Sequence, residues 1–139
     1  RAGLVYETPV DMIRILWWKF MINVGTNQAA AVLRAPFAIL QTSQEARELM
    51  ESAMREVMAV AEAKNVHLSQ ADLDNWFSVL CGLSPEGRPS MLQDVEAKRK
   101  TEVEMFAGKM IQLGNALDIP VPVNDTFFRI IRVIEEHFA

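Results

Sequence analysis

The 139-residue chain is half hydrophobic, carries 23% charged residues and has a formal net charge of -4 at pH 7. That balance argues against a nucleic-acid or anionic-membrane partner, because Lys98, Arg99 and Lys100 make only one short basic cluster. One cysteine, Cys81, excludes an internal disulfide and suits a reducing, cytoplasmic setting; His67 and His137 are too far apart to seed a metal site, so no metal is expected. The length suits one domain over residues 1–139 that buries roughly two-thirds of the surface its unfolded form exposes. No apolar run reaches the ~20 residues a transmembrane helix needs, and no signal peptide opens the chain.

Thr8-Pro9 reads as an N-cap followed by a proline in the first helical position, with Asp11 where the helix dipole favours a negative charge. The first helix is predicted to run to Leu33, before Ala35-Pro36 ends it. Ile13, Trp17, Phe20, Met21 and Val24 should be its core face. Thr42-Ser43-Gln44-Glu45 has capping-box spacing and opens a second helix up to Asn65, with Met50, Ala53 and Val57 in its apolar stripe. The methionines Met12, Met21, Met50, Met54 and Met58 read as core filler. Ser69-Gln70-Ala71-Asp72 opens a third helix that Gly82 stops.

Ser84 to Pro89 is a loop that delivers Ser90 to a helix start. From there a helical pattern could be drawn unbroken to Leu117, but Thr101-Glu102-Val103-Glu104 is a second capping box. Two helices are therefore predicted, about 91–98 and 102–117, with a break near Lys100. Gly108, inside the second, is expected to allow close backbone packing. Ile119-Pro120-Val121-Pro122 is an extended connector, and Asn124 or Asp125 caps a last helix. Nothing reads as a strand. The predicted fold class is all-α, about six helices around a long first one.

Lys19, Asn23 and Asn27 recur every fourth residue, so on a helix they form one polar track suited to a small oxygen-rich ligand. A lysine on an amphipathic helix is ordinarily just solvated, and the track needs support from elsewhere. That support comes from Ser90-Met91-Leu92-Gln93-Asp94, Lys100-Thr101-Glu102-Val103-Glu104, Gly108, Gly114 and Ile119-Pro120-Val121-Pro122. With the Lys19, Asn23, Asn27 ladder after Trp17-Trp18, these make the chain resemble the C-terminal domain of ketopantoate reductase (2-dehydropantoate 2-reductase). The motifs span Trp18 to Pro122. A helical second domain of this kind also occurs in 6-phosphogluconate dehydrogenase-type proteins.

The resemblance implies the substrate side of a reductase that passes a hydride from NADPH to the keto group of ketopantoate, on the route to pantothenate and coenzyme A. On the matching positions, Lys19 would be the proton donor. Asn23 and Asn27 would hold substrate or orient Lys19, and Ser90 would bind the substrate carboxylate end. Glu102 would bind the substrate hydroxyl or position the lysine. Lysine suits the proton transfer better than arginine, which cannot give up its proton. Lys19 and Asn27 are separated by about 12 Å of rise and about 80° of drift on a straight helix, so Lys19 and Asn23 should be primary and Asn27 peripheral. On a straight helix Ser90 and Glu102 would stand about 18 Å apart and about 120° out of phase, so the break near Lys100 is required if they share a ligand.

Two departures bear on this reading. Some family members carry a polar residue just after the Pro36 position, where this chain has Phe37; that leaves open a paralogue acting on another 2-keto acid. The six glycines contain no G-x-G-x-x-G, so the N-terminal nucleotide-binding (Rossmann) domain is expected to lie outside this chain, and the fragment alone should be inactive. The start at Arg1, directly before a helical pattern, fits a piece of something longer. A third reading is a non-catalytic helical module used for self-association, and a homodimer through an exposed apolar face is a further expectation.

Overall fold

In the computed structural model, which describes residues 9–138, the chain folds into helices, and no described residue lies in a strand. The first rod ends at Leu33 as predicted but is less regular than its periodicity suggests. Helix α1 (Pro9–Ile22) passes without interruption into a π turn, π1 (Asn23–Asn27), and then into α2 (Gln28–Leu33). Arg34 adopts a left-handed conformation (φ 54°) that ends the rod, as the Ala35-Pro36 pair predicts. Thr8, the predicted cap, lies outside the described residues.

The π turn sits where the rod meets α4 (Gln44–Ala63). A Cβ on Gly25 would stand 2.4 Å from Met54 Cγ and 3.0 Å from the Met50 carbonyl oxygen, so only a glycine permits this approach. Beside it, buried Thr26 accepts a hydrogen bond from Trp76 Nε1 (2.8 Å) and donates to Met50 Sδ (3.2 Å). Val24, Gly25 and Thr26 are buried, while Asn23 and Asn27 are partly exposed.

A short helix, α3 (Phe37–Thr42), follows where none was predicted. Six residues are too few to show a period, and its start is stabilised at long range: Phe37 N–H donates to Gly87 O and Ala38 N–H to Pro85 O, both at 2.9 Å. Ser43, not Thr42, caps α4 by accepting from Ala46 N (3.1 Å). Helix α5 (Gln70–Cys81) begins with the predicted capping box, in which Asp72 Oδ2 accepts from Ser69 N at 2.8 Å. Asp72 also receives both of its 2.7 Å contacts with Arg14 of α1, tying the first rod to α5. Burial disfavours the charge on Asp72, but the Arg14 guanidinium and the Ser69 amide outweigh it and hold the carboxyl below its ordinary pKa.

Helix α6 (Ser90–Glu96) is followed by the predicted break, then by a second π turn, π2 (Glu104–Gly108), and α7 (Lys109–Leu117). Glu104 does not close a box on Thr101; it pairs with Lys100 and Arg132. Glu135 of α8 (Pro122–Glu136) takes that place, accepting from Thr101 N at 2.9 Å and Thr101 Oγ1 at 2.5 Å. Helix α8 itself starts at Pro122, ahead of the Asn124 or Asp125 cap predicted. The Glu56 carboxylate from α4 accepts from Val123 N (2.8 Å) and Asn124 N (3.0 Å).

The core is one cluster in which Met21, Leu40, Met50, Met54, Leu80 and Ile131 are fully buried. Met12 is the exception among the methionines read as filler, at 54% exposure. Of the predicted core face of the first rod, Met21 and Val24 are buried, Trp17 and Phe20 are half-buried against the core while also lining a groove with Leu16, Lys64, Lys109 and Leu113, and Ile13 is exposed. The Arg14–Asp72 pair and the edge-on contact of Trp18 with Trp76 (centroids 6.4 Å) tie the adjoining side of the helix to α5. Gly108 has room for a Cβ, whose nearest neighbour would be Phe128 Cε1 at 3.4 Å; close approach occurs instead at Gly114, where a Cβ would stand 2.6 Å from the Ile119 carbonyl oxygen. Among the described residues no helix is long and apolar enough to cross a membrane.

Candidate functional site

The second and third members of the polar track, Asn23 and Asn27, are the first and last residues of π1. Four residues apart, they remain neighbours on one side of the rod. Asn27 Nδ2 donates to Asn23 Oδ1 at 2.8 Å. Lys19 precedes Asn23 by four residues in the last turn of α1, with its side chain exposed. The lysine end of the track is therefore open to solvent.

Ser90 is brought to this track by the 84–89 loop. Helix α6 has Pro89 at its N-cap, which offers no side-chain acceptor. Asn27 supplies one from 64 residues away: its Oδ1 accepts from Met91 N (3.1 Å) and from Ser90 Oγ (3.2 Å). Asn23, Asn27 and Ser90 thus form one hydrogen-bonded chain across two helices. Phe37 does not join them; it packs on the loop, where a Cβ on Gly87 would meet its Cδ2 at 2.9 Å.

Glu102 lies exposed in the turn between α6 and π2. Its carboxylate and the Lys19 ammonium make no hydrogen bond or ion pair among the described residues, unlike Glu104 two positions on. Asn23, Asn27 and Ser90 are thus joined directly, whereas Lys19 and Glu102 remain uncommitted charges.

Three residues that the sequence did not place at the site, Gln28, Asn124 and Glu56, support this arrangement from below. Gln28, fully buried, donates from Nε2 to Val24 O (2.8 Å) and Asn124 Oδ1 (3.1 Å), and its Oε1 accepts from Ala107 N in π2 (2.9 Å). Asn124 in turn donates from Nδ2 to Glu56 Oε1 (2.8 Å). A lone glutamine ahead of Ala29-Ala30-Ala31 was the available signal, since all four are buried, but its partners are up to 96 residues away.

The described residues offer little to a cofactor or metal. No strand and no G-x-G-x-x-G is present to cradle a dinucleotide pyrophosphate, so they do not fit one by themselves. Among the described residues no group of three or more His, Cys, Asp or Glu side chains could hold a metal ion.

Comparison with known proteins bears on the same stretch. Residues 11–135 match the family model described as ketopantoate reductase PanE/ApbA C terminal. Similar curated proteins include the 2-dehydropantoate 2-reductases of Pyrobaculum aerophilum, 29% identical over 97% of this chain and 48% of that protein, and Halobacterium salinarum, 30% identical over 96% and 44%. The chain therefore spans somewhat under half the length of these relatives. Among solved structures, a PanE/ApbA family ketopantoate reductase from Ralstonia eutropha superposes with a TM-score of 0.82 at 28% identity, covering 99% of this chain and 46% of that one. A dimeric ketopantoate reductase from Staphylococcus aureus (TM-score 0.85, 24% identity, 97% and 46% covered) shares the fold. So does D-mandelate dehydrogenase, solved with NADH and anilino(oxo)acetate (TM-score 0.85, 19% identity, 94% and 55% covered). With the all-α architecture, the break before π2 and a family match over residues 11–135, the chain belongs to the ketopantoate reductase C-terminal domain family.

Proposed function

We propose that this chain is the substrate-side helical domain of an NADPH-dependent reductase that converts ketopantoate to pantoate, in the cytoplasmic supply of pantothenate and coenzyme A. NADPH supplies the hydride from a nucleotide-binding domain outside residues 1–139, in keeping with the 44–48% of the quoted curated relatives that the chain spans.

Reduction of a keto group leaves negative charge on its oxygen, and the Lys19 ammonium delivers the proton there. The exposed Lys19 side chain is free to reach a substrate lying over Asn23, and a closing second domain would exclude water from it. Asn23 hydrogen-bonds the substrate, Ser90 takes its carboxylate end, and Glu102 binds its hydroxyl or positions the lysine. Asn27 is close enough to Ser90 and Asn23 to hold both in place.

The observation that carries this reading is the continuous Asn23–Asn27–Ser90 hydrogen-bonded chain beside Lys19, within a chain of the ketopantoate reductase family. The test is turnover of ketopantoate with NADPH by the longer protein carrying this chain, against a panel of other 2-keto acids, with the 139-residue chain as control. Preference for ketopantoate and an inactive control support the proposal; enzyme-like turnover by the isolated chain would contradict it. Phe37, packed on the loop rather than offering a polar group, favours a second reading in which another 2-keto acid is preferred. The same panel separates the two.

A further inference from the structure

Helix α8 carries charge of the wrong sign at its C-terminal end. Its last turn holds two glutamates, Glu135 and Glu136, and no basic residue, although the helix dipole disfavours negative charge there. Glu136 is exposed and can be solvated. Glu135 is not so placed, since its side chain keeps only 11% of its accessible surface. A carboxylate withdrawn from water at the unfavourable end of a helix needs strong partners from elsewhere.

Those partners lie in the turn that carries Glu102. Glu135 Oε2 accepts from Thr101 N (2.9 Å) and from Thr101 Oγ1 (2.5 Å). A carboxylate has no proton to offer, so the Thr101 hydroxyl must donate to it and keep its own lone pairs for another donor. That donor is Val103 N–H, 3.2 Å from Thr101 Oγ1. The chain Glu135–Thr101–Val103 therefore clasps the backbone on both sides of Glu102. Thr101 and Val103 are buried, and the next residues out are paired as well, Lys100 with Glu104 (3.7 Å) and Glu104 with Arg132 (3.3 Å). Arg132 Nε closes the circuit, 3.6 Å from the other Glu135 oxygen. Of the polar side chains at positions 100–104, Glu102 alone makes no hydrogen bond or ion pair among the described residues, and it is exposed.

We infer that Glu135 is a positioning residue: by holding Thr101 and, through it, Val103, it fixes the backbone from which Glu102 reaches the substrate or Lys19. The inference rests on the role proposed for Glu102 and gives Glu135 itself no contact with the substrate. An unpaired glutamate on a loose turn would spread over many positions. On a clamped turn only its own side-chain torsions remain to be ordered when the substrate binds.

The test pairs NMR of the 139-residue chain with kinetics of the longer protein. Glu135→Ala should leave α8 intact, because alanine favours helix and the substitution removes a charge opposed to the dipole. In 15N relaxation measurements the Glu102 backbone amide should be as rigid as the neighbouring helices in the unsubstituted chain and mobile in Glu135→Ala. An unchanged Glu102 amide would overturn the clamp, whatever the protein's substrate. In the longer protein, assayed well below the melting temperature of every variant, Glu135→Ala should lower kcat/KM for ketopantoate on the order of tenfold or more, the scale of one lost charge-assisted hydrogen bond. Glu135→Gln keeps an acceptor oxygen for Thr101 and should restore most of that loss. In a Glu102→Ala background, Glu135→Ala should have no further effect. A lowered melting temperature with unchanged kcat/KM would mean a purely structural contact, and losses that add to those of Glu102→Ala would mean that Glu135 acts by another route; either result overturns the inference. If the unsubstituted longer protein turns over no keto acid, the proposed function fails, and the NMR measurement alone decides whether Glu135 fixes the Glu102 backbone.

Discussion

The two π turns make an instructive pair. In π1 the inward residues are small or apolar and pack directly on α4 through Gly25, leaving Asn23 and Asn27 at the surface to face α6 and solvent. In π2 the inward contact is polar: the Ala107 N–H is satisfied by Gln28, a side chain from the other rod. Close packing at Gly25, with Thr26 hydrogen-bonded to Trp76 and Met50, holds the first turn, and a single buried hydrogen-bond acceptor holds the second. The same departure from α geometry can therefore be stabilised by two different physical devices, which should fail in different ways.

The device in π2 is the more fragile. Gln28→Met keeps the volume but strands the Ala107 N–H and one side of Asn124, so it should lower unfolding stability by roughly 3 kcal/mol, measured by urea titration. Gly25→Ala attacks π1 through packing. The added carbon would collide with Met54 and press on the Met50 carbonyl, and a loss of about 2 kcal/mol is expected in the same assay. If Gly25→Ala proved neutral, shape would not be what holds π1.

A smaller effect is expected at the contact that orients α1 against α5. Asp72 has a lowered carboxyl pKa in the folded chain, so its pairing stabilises the fold above the unfolded carboxylate value near ~3.9 and is lost as pH falls through the lower folded-state value. Arg14 is 44% exposed, so solvent screening keeps the contribution within about 1 kcal/mol. Melting curves between pH 5 and pH 2 should be steeper for the native chain than for Arg14→Gln, whereas identical acid profiles would remove the pair from the account. The smallest effect belongs to Gly108→Ala. With its neighbours at ordinary contact distance, the added methyl should fit and stabilise π2 and its continuation into α7 by about 0.5 kcal/mol, opposite in sign to the change at Gly25.

What could be read in the sequence follows the distance over which each interaction acts. The Ser69/Asp72 box, the end of the first rod before Pro36 and the 84–89 loop depend on neighbours a few residues apart, and all stand where local chemistry put them; the break near Lys100 is present too, though not through the local box that predicted it. The caps supplied from afar were not readable: Glu56 on the start of α8, Glu135 on Thr101, Asn27 on Met91. Local motifs misled in the first two of those places, because Glu104 and Asn124 had the right spacing to cap but found better partners elsewhere. The candidate site divides in the same way. Lys19, Asn23 and Asn27 were visible as a period of four, and Ser90 came from the family resemblance, while the bond between Asn27 and α6 that joins them spans 64 residues. Neither π turn announced itself, since widening a helix by one residue depends on what packs against it.

The central claim is that the exposed ammonium of Lys19, at the head of the asparagine track, performs proton transfer to a keto acid. It is tested most directly by comparing Lys19→Ala with the unsubstituted protein, in the longer chain that carries the nucleotide-binding domain, for NADPH-driven ketopantoate turnover and thermal stability together. Removal of a general acid should lower kcat by about 10²- to 10⁴-fold, with no shift in melting temperature because the side chain is exposed. Turnover that persists at the unsubstituted rate would contradict the account.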